Sequence, residues 1–145
     1  MTLFKRASII VALTLLTSQH SFAAFSDVKN AHPNYTAIEY LQTDGTLQGY
    51  EDGTFRPQNS VNRAEFLKII IAGSNLPTDI ENTTPFTDVN HEAWYGPYLK
   101  KAFHEGWISG YGDGTFRPEQ TINKVEALKI TAKAQNWPLT FDTTE

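Results

Sequence analysis

GYEDGTFRP, at residues 49–57, recurs as GYGDGTFRP at residues 110–118, 61 positions later. When residues 25–84 are laid over residues 86–145 without a gap, 20 of the 60 pairs are identical. Agreement of this extent in a single register indicates an internal duplication. The sequence therefore predicts two copies of one structural unit.

The boundaries of the two copies follow from the polar segments between them. We place repeat 1 at residues 24–71 and repeat 2 at residues 86–135, joined by a polar, turn-rich linker at residues 72–85. The linker pattern begins again at residues 136–145, which we interpret as a linker toward a third repeat of a longer chain, with a natural two-copy protein as the alternative. A unit of this size buries little apolar surface alone, so we expect the copies to pack on each other.

Residues 1–23 have the pattern of an export signal. Lys5 and Arg6 form a basic start, residues 7–16 are mostly apolar, and Ser21 and Ala23 offer small side chains at the cleavage positions. The apolar run is too short to span a bilayer, which takes about 20 helical residues. The sequence therefore predicts a secreted protein that is not inserted in a membrane after signal cleavage.

The composition disfavours several classes of function. The chain has no cysteine, which excludes disulfides, thiolate metal sites and a cysteine nucleophile. Its formal net charge is −4, and removal of Lys5 and Arg6 with the signal takes it to −6 (−4 − 2). Nucleic acids and anionic membranes attract positively charged surfaces, so we expect neither as a partner. We also expect no cofactor and no metal ion.

Each copy is predicted to begin with a helix that leads into the repeated loop. In repeat 2, Pro97 suits the first position of a helix that ends before Gly106, and repeat 1 predicts its counterpart over residues 34–44. Within the loops, the Asp-Gly pairs at residues 52–53 and 113–114 predict tight turns.

A second helix in each copy is predicted to open with a capping box. Asn62 stands three residues before Glu65, and Asn123 stands three residues before Glu126. The apolar spacing predicts that each second helix buries one face. Its members are Phe66, Leu67, Ile70 and Ile71 in repeat 1, matched by Leu128 and Ile130 in repeat 2. The expected fold class is thus mainly α, with tandem helix-loop-helix units.

Together these features resemble the S-layer homology domain family. The resemblance rests on the openings FSDV at residues 25–28 and FTDV at residues 86–89, the two nine-residue loops, and the helix opening NRAE at residues 62–65. It implies a noncatalytic module that anchors secreted proteins to bacterial cell-wall polysaccharide, often a polymer with pyruvylated amino sugars. It also implies a pseudo-threefold helical bundle, of which two repeats form a part, with ligand grooves between neighbouring repeats.

The chain departs from the family's usual helix opening, Thr-Arg-Ala-Glu, in both copies. Asn62 and Asn123 keep the cap, but Lys124 replaces the arginine of repeat 2 and lacks the planar fork that binds a carboxylate through two hydrogen bonds. The second groove is therefore expected to bind more weakly or with a different selectivity. The family's tryptophan near the first helix is present as Trp94, whereas its counterpart in repeat 1 is Pro33.

The cations at the two helix starts are the leading candidates for ligand binding. Arg63 and Lys124 stand at the first helical position, where a positive charge opposes the helix dipole at a cost of about 0.3 to 1 kcal/mol when exposed. Their recurrence is explained if an external anion, such as the carboxylate of a pyruvyl ketal, binds beside them. A solvated salt bridge is the alternative.

Further candidates for sugar contacts are caps, carboxylates and aromatic rings, each with a structural alternative. The caps and their glutamates serve the helix starts first, the carboxylates can tie down the chain before the first helix, and the tyrosine rings can belong to the core. This set comprises Asn62, Asn123, Glu65, Glu126, Asp27, Asp88, Tyr50, Tyr111 and Trp94.

Three rival functions compete with glycan binding. Calcium binding is disfavoured because the Asp-Gly turns lack the alternating oxygen ligands and closing glutamate of an EF-hand. Catalysis is disfavoured because the histidines show no paired metal spacing, no Gly-x-Ser-x-Gly motif is present, and a catalytic pair has no reason to be duplicated. The open alternative is a structural envelope protein that self-associates, takes up a third repeat in trans, or binds a protein partner without glycan.

Overall fold

Four helices provide the regular structure of the chain in a computed structural model, which describes residues 24–81 and 83–137. They are α1 (Tyr35–Thr43), α2 (Arg63–Gly73), α3 (Gly96–His104) and α4 (Lys124–Ala134), and no strand forms within the described residues. The helices α3 and α4 begin 61 residues after α1 and α2, respectively. The expected mainly α chain of two helix-loop-helix units is confirmed. The predicted signal at residues 1–23 lies outside the described residues.

The first helix of each repeat ends where the glycines predict. Pro97 is the second residue of α3, one position later than predicted, and Gly106 follows the helix with φ +72°. Gly45 follows α1 with φ +83°. A side chain at Gly96, where α3 begins, would place its Cβ 2.1 Å from the backbone oxygen of His91. That position therefore admits only glycine without a backbone shift.

Both predicted capping boxes are present. The backbone N–H of Glu65 donates to Asn62 Oδ1 and the backbone N–H of Asn62 donates to Glu65 Oε2, each at 2.8 Å. The same reciprocal pair joins Asn123 and Glu126 at 2.9 and 3.2 Å. Two otherwise unpaired donors are satisfied at each helix start, which fixes where α2 and α4 begin.

The repeated loop is held by two carboxylates in each copy. Asp52 Oδ1 accepts hydrogen bonds from the backbone and hydroxyl of Thr54, while Oδ2 pairs with Arg56 at 2.8 Å. Asp27 accepts the backbone N–H groups of Phe55 and Arg56 at 2.8 and 2.7 Å. These bonds support Arg56 at φ +59°, and the equivalent bonds in repeat 2 support Arg117 at φ +61°.

The main apolar core joins α2 of repeat 1 to the whole of repeat 2. Leu67 and Ile71 of α2 lie in one buried cluster with Leu99 of α3 and Phe116 of the second loop. The copies thus pack on each other, as expected. The cluster also contains Ala64, Phe86, Tyr95, Ala102, Trp107, Ile108 and Ile130.

Backbone hydrogen bonds reinforce this contact between the repeats. The N–H groups of Arg63 and Ala64 donate to the oxygens of Gln120 and Pro118 at 2.9 and 3.0 Å. The N–H of Ile122 donates to Val61 at 3.1 Å. The start of α2 is therefore paired with the segment that follows the second loop.

A second, smaller cluster belongs to repeat 1 alone. Phe25, Val28 and Ile38 are buried together, with Tyr35 and Phe55 packed partly against them. The rings of Phe25 and Phe55 are stacked with centroids 5.3 Å apart. The helix α1 therefore rests on a much thinner layer of apolar side chains than α2 or α3.

The helix α4 departs from the predicted burial of its apolar face. Ile130 is buried, but Leu128, which we expected on the same buried face, has an exposed fraction of 55%. Leu67 has the same place in α2 and is completely buried. The difference arises because repeat 2 covers Leu67, whereas no described part of the chain covers Leu128.

Candidate functional site

A groove lies between the loop of repeat 1, the start of α2 and Trp94 of repeat 2. Its volume is about 400 Å³, and we call it groove 1. The side chains that line it and bear on ligand binding are Gln48, Tyr50, Glu65, Lys68 and Trp94. Three of these are among the sequence candidates, and the fold brings them together from both repeats.

The same groove recurs in repeat 2, where we call it groove 2. Its volume is about 190 Å³, and its lining includes Ser109, Tyr111, Glu126 and Lys129, which stand 61 residues after their counterparts in groove 1. Arg63 of repeat 1 also lines groove 2. Among the described residues, groove 1 has no counterpart of this arginine and groove 2 has no counterpart of Trp94.

Groove 1 combines apolar faces with a few polar groups. Trp94 is exposed, and Arg56 lies 3.9 Å from the ring centre of Tyr50, so one face of the tyrosine is covered by a cation. Lys68 Nζ donates to Gln48 Oε1 at 3.2 Å. An exposed indole beside a lysine and a carboxylate suits a sugar that carries an acidic group.

Arg63 is engaged in contacts that join the two repeats. Only 5% of the residue is exposed, and its Nε donates to the backbone oxygen of Phe116 at 2.8 Å. The guanidinium lies 4.5 and 4.9 Å from the ring centres of Phe116 and Tyr111, and 3.3 Å from Glu126 Oε1. These contacts favour a structural role, although the residue also forms part of the wall of groove 2.

Lys124, at the equivalent position of α4, has a different environment. Its side chain is exposed and has no ion pair or hydrogen bond within the part of the chain that the structure describes. It lines neither groove. The two cations occupy equivalent positions in the sequence but differ in burial and in partners, and only Arg63 lines a groove.

Glu126 is the acidic side chain of groove 2, and several neighbouring groups act on its pKa. Burial raises the pKa of Glu126, but the hydroxyl of Tyr111, the backbone N–H of Asn123 and the guanidinium of Arg63 together lower that pKa below its ordinary value. For Tyr111, burial and the hydrogen bond it donates to Glu126 raise the pKa. The pair therefore holds a carboxylate and a neutral phenol at neutral pH.

The remaining predicted carboxylates lie outside the two grooves. Both oxygens of Asp27 accept backbone hydrogen bonds from its loop, and those bonds, led by the one from Phe55, lower the pKa of Asp27. Asp88 accepts the equivalent bonds from Phe116 and Arg117 at 2.8 and 2.7 Å. Both aspartates thus tie each repeat's opening to its loop.

Two lysines of the grooves were not among the sequence candidates. Lys68 and Lys129 follow the capping glutamates by three residues and so lie on the same side of their helices. Both are conserved between the two copies of the chain, and that identity at equivalent positions was the available signal. The capping asparagines, by contrast, line neither groove.

The described residues offer neither a metal cluster nor a membrane span. They bring together no group of three or more His, Cys, Asp or Glu side chains that could hold a metal ion. None of the described helices is long and apolar enough to cross a bilayer.

Comparison with known proteins gives matches in both repeats. The profile of the S-layer homology domain matches residues 24–67 and 85–128. The chain is 33% identical over 141 residues to cell surface glycoprotein 1 of Acetivibrio thermocellus, and 31% identical over 118 residues to the cellulosome-anchoring protein of that organism. It is 32% identical over 123 residues to the S-layer protein sap of Bacillus anthracis.

These relatives are much longer than the part that is matched. The three alignments cover 86%, 77% and 80% of this chain but only 6%, 26% and 15% of the respective relatives. The chain thus corresponds to one region of each relative.

Proposed function

Because the chain belongs to the S-layer homology domain family, we propose that it is a noncatalytic anchoring module that binds an acidic polysaccharide of the bacterial cell wall. The names of the relatives, which include a cellulosome-anchoring protein and an S-layer protein, support a location at the cell surface or wall. Pyruvylated amino sugars are the class of acidic group that we propose for the polymer.

The observation that carries this proposal is the recurrence of one groove in both repeats. Each groove places a tyrosine, a glutamate and a lysine at equivalent positions, and within the second helices only a leucine and an isoleucine are identical besides this glutamate and lysine. The two lysines differ in burial, since Lys68 is half-buried and Lys129 is exposed. A shared structural role therefore does not account for the presence of lysine at both positions.

In groove 1, the proposed ligand contacts divide by chemistry. The ammonium of Lys68 donates to the ligand carboxylate, and the exposed ring of Trp94 packs on the apolar face of a sugar. Glu65 and Gln48 accept hydrogen bonds from sugar hydroxyls. Tyr50, already covered on one face by Arg56, supplies a side wall.

Groove 2 is proposed to bind the same polymer more weakly. It is smaller than groove 1, and its arginine is already paired with Glu126 and the backbone of Phe116. Lys129 is then the cation that remains to meet a ligand carboxylate. No exposed tryptophan of the described residues lines this groove.

Sedimentation with purified wall sacculi tests the proposal. The chain should pellet with native sacculi and stay in solution with sacculi stripped of acidic polymer. Lys68→Gln should weaken binding about tenfold, the effect expected when one charged hydrogen bond is lost. Lys100→Gln, a lysine on α3 outside both grooves, is the matched control and should bind like the original chain.

Two results would contradict the proposal. Equal binding to native and stripped sacculi would show that the chain does not need the acidic polymer for binding. The second result is that Lys124→Gln abolishes binding to sacculi while Lys68→Gln binds normally. The binding site would then lie at the start of α4, where the sequence alone predicts a candidate cation, and not in the grooves.

A second candidate function is self-association of the repeats without a glycan. The exposed apolar side chains of Val125 and Leu128 on α4 favour it. If this were the sole function, the chain would associate with itself and would not pellet with either preparation of sacculi.

A further inference from the structure

A pocket lies where the C-terminal ends of α2, α3 and α4 meet, away from the helix starts that border the grooves. Its volume is about 610 Å³, against about 400 Å³ for groove 1, and we call it the helix-end pocket. The lining residues that bear on binding are Ser74, Glu105, Trp107, Lys133, Asn136 and Trp137. Of these six residues, only Trp107 also lines one of the two grooves.

Trp137 presents an exposed indole from a fixed backbone position. Its exposed fraction is 58%, and its backbone N–H donates to the oxygen of Ala132 at 2.8 Å. The backbone N–H of Asn136, which has φ +52°, donates to the oxygen of Lys133 at 3.0 Å. These two bonds form the Schellman motif that ends α4. A ligand that packs on the indole therefore does not have to order the backbone that carries it.

The duplicated scaffold does not account for the side chains of the helix-end pocket. Where repeat 2 has two tryptophans and a lysine, repeat 1 has smaller, uncharged side chains. The equivalent pairs are Trp107 and Thr46, Lys133 and Ala72, and Trp137 and Leu76. Trp107 is buried in the main core, but packing gives no reason for an exposed tryptophan at residue 137.

The charged side chains of the pocket are already paired. Lys133 Nζ donates to the backbone oxygen of Gly106 at 2.7 Å. Glu105 Oε1 lies 2.7 Å from Lys101 Nζ and 3.5 Å from His104 Nδ1. The ends of three helices add partial negative charge, which disfavours an anionic ligand, and the ammonium of Lys133 disfavours a cationic one. The pocket therefore suits an uncharged ligand.

Three polar groups remain available to such a ligand. The side-chain amide of Asn136 and the indole N–H of Trp137 have no hydrogen-bond partner in the part of the chain that the structure describes. Glu105 Oε2 likewise makes no hydrogen bond there, because the contacts of this carboxylate use Oε1. Donors and acceptors beside a flat apolar ring match the hydroxyl groups and the apolar face of a pyranose.

We propose that the helix-end pocket binds an uncharged pyranose unit of a glycan, at a site separate from grooves 1 and 2. The sugar packs on the indole of Trp137, and its hydroxyl groups form hydrogen bonds with Asn136 and Glu105. One stacked ring and a few hydrogen bonds predict a dissociation constant of about 1 mM. Binding this weak does not by itself pellet the chain with sacculi stripped of acidic polymer, and it does not depend on the ligand of the grooves.

Nuclear magnetic resonance tests the proposal, because the three tryptophans of the chain lie in three different environments. Trp94 lines groove 1, Trp107 is buried, and Trp137 lines the helix-end pocket. An uncharged tetrasaccharide, cellotetraose or chitotetraose, should shift the indole N–H resonance of Trp137 and leave that of Trp94 unchanged. The tetramer of galacturonic acid should bind the pocket at least about tenfold more weakly, because its carboxylates meet the helix ends.

Two exposed tryptophans provide a matched pair of variants. Trp137→Ala should weaken binding of the uncharged tetrasaccharide at least about tenfold, since the stacking surface is lost. The backbone amide resonance of Gly106, which lines the pocket, gives the readout in this variant. Trp94→Ala removes an indole of similar exposure from groove 1 and should bind the tetrasaccharide like the original chain.

Asn136→Gly tests the contribution of the side-chain amide. Glycine keeps the left-handed conformation that ends α4 and removes only the side chain, so we expect about fivefold weaker binding with unchanged helix content. Asn75→Gly is the matched control, because Asn75 ends α2 with φ +51° and does not line the pocket.

Three outcomes would overturn the proposal. The first is that neither uncharged tetrasaccharide shifts the Trp137 resonance at about 20 mM. The second is that binding persists in Trp137→Ala or is lost in Trp94→Ala, and the third is that the galacturonic acid tetramer binds as tightly as the uncharged ones. Lys68→Gln, which tests groove 1, should leave the Trp137 shift unchanged, so failure of the groove proposal and failure of this one are distinguishable.

Discussion

At the scale of single residues, side chains at equivalent positions of the two repeats have different physical roles. Arg63 and Lys124 both begin a helix behind an asparagine cap, yet Arg63 is buried between aromatic rings and Lys124 is exposed. Arginine suits the buried position because its planar guanidinium can stack on rings while it donates hydrogen bonds in the plane.

Replacing Arg63 by alanine is predicted to destabilise the fold. The change leaves the oxygen of Phe116 without the donor from Arg63, removes the cation beside Glu126, which keeps only its hydrogen bonds from Tyr111 and Asn123, and opens a space beside two rings. We therefore expect the free energy of unfolding to fall by about 3 kcal/mol. Lys124→Ala, at the exposed counterpart, should change it by less than about 0.5 kcal/mol. Urea denaturation followed by circular dichroism measures both.

A small effect of Arg63→Ala on stability would contradict this prediction. If wall binding is then lost while stability is kept, Arg63 contributes to the ligand site rather than to the contact between repeats. Arg63→Lys should lie between the original chain and the alanine variant, because lysine keeps the charge but not the planar stacking.

At the scale of elements, the sequence determines local structure well. Capping boxes, loop turns and helix ends appear where residues such as Asn62, Asn123 and Gly106 predict them, because these signals act over a few residues and need no distant partner. The ligand grooves follow less directly. Tyr50, Glu65 and Trp94 line one groove, and their role in ligand binding stays a prediction, whereas Lys68 in the same groove had no motif to mark it.

Glycines of the repeated loop differ in how much they constrain it. Gly110 has φ +68°, and a Cβ there would lie 2.4 Å from Phe86 Cε1 and 2.7 Å from the backbone oxygen of Thr115. Gly112, two residues later, has no atom within 4 Å of the Cβ position and has Glu51 as its counterpart in repeat 1. Of these two glycines, only the first is therefore required by the geometry of the loop.

Gly110→Ala is predicted to lower the free energy of unfolding by about 2 kcal/mol or more, through backbone strain and the collision with a buried ring. Gly112→Ala should be neutral or slightly stabilising, because alanine restricts the unfolded chain. Thermal unfolding of the two variants side by side provides the comparison. Equal melting temperatures would mean that the loop can shift away from Phe86 at little cost.

At the scale of the whole molecule, the sequence is less informative. Leu67 and Leu128 are the same residue at the same helical position, and periodicity assigns both to an apolar face. Periodicity does not say which element covers that face, and here one leucine is buried and the other exposed. For the same reason, sequence reasoning could not separate the roles of Arg63 and Lys124.

Stability should also be distributed unevenly over the molecule. The helix α1 rests on the small cluster of Phe25, Val28 and Ile38, while α2 and α3 share the main core. Native-state hydrogen exchange in dilute solution should therefore show earlier exchange for the amides of α1 than for those of α2 and α3. Uniform protection of the three helices would indicate that the two clusters open as one cooperative unit.

Because α2 belongs to the core of repeat 2, the segment that is duplicated in the sequence is not the segment that contains a complete core. A truncated fragment that starts at Phe86 contains one full copy of the motif but lacks the helix that covers Leu99 and Phe116. A fragment that starts near Gln58 cuts a copy in two, yet retains that helix. Expression boundaries drawn between the sequence motifs would thus divide a core, and a boundary drawn just after the first loop would preserve it.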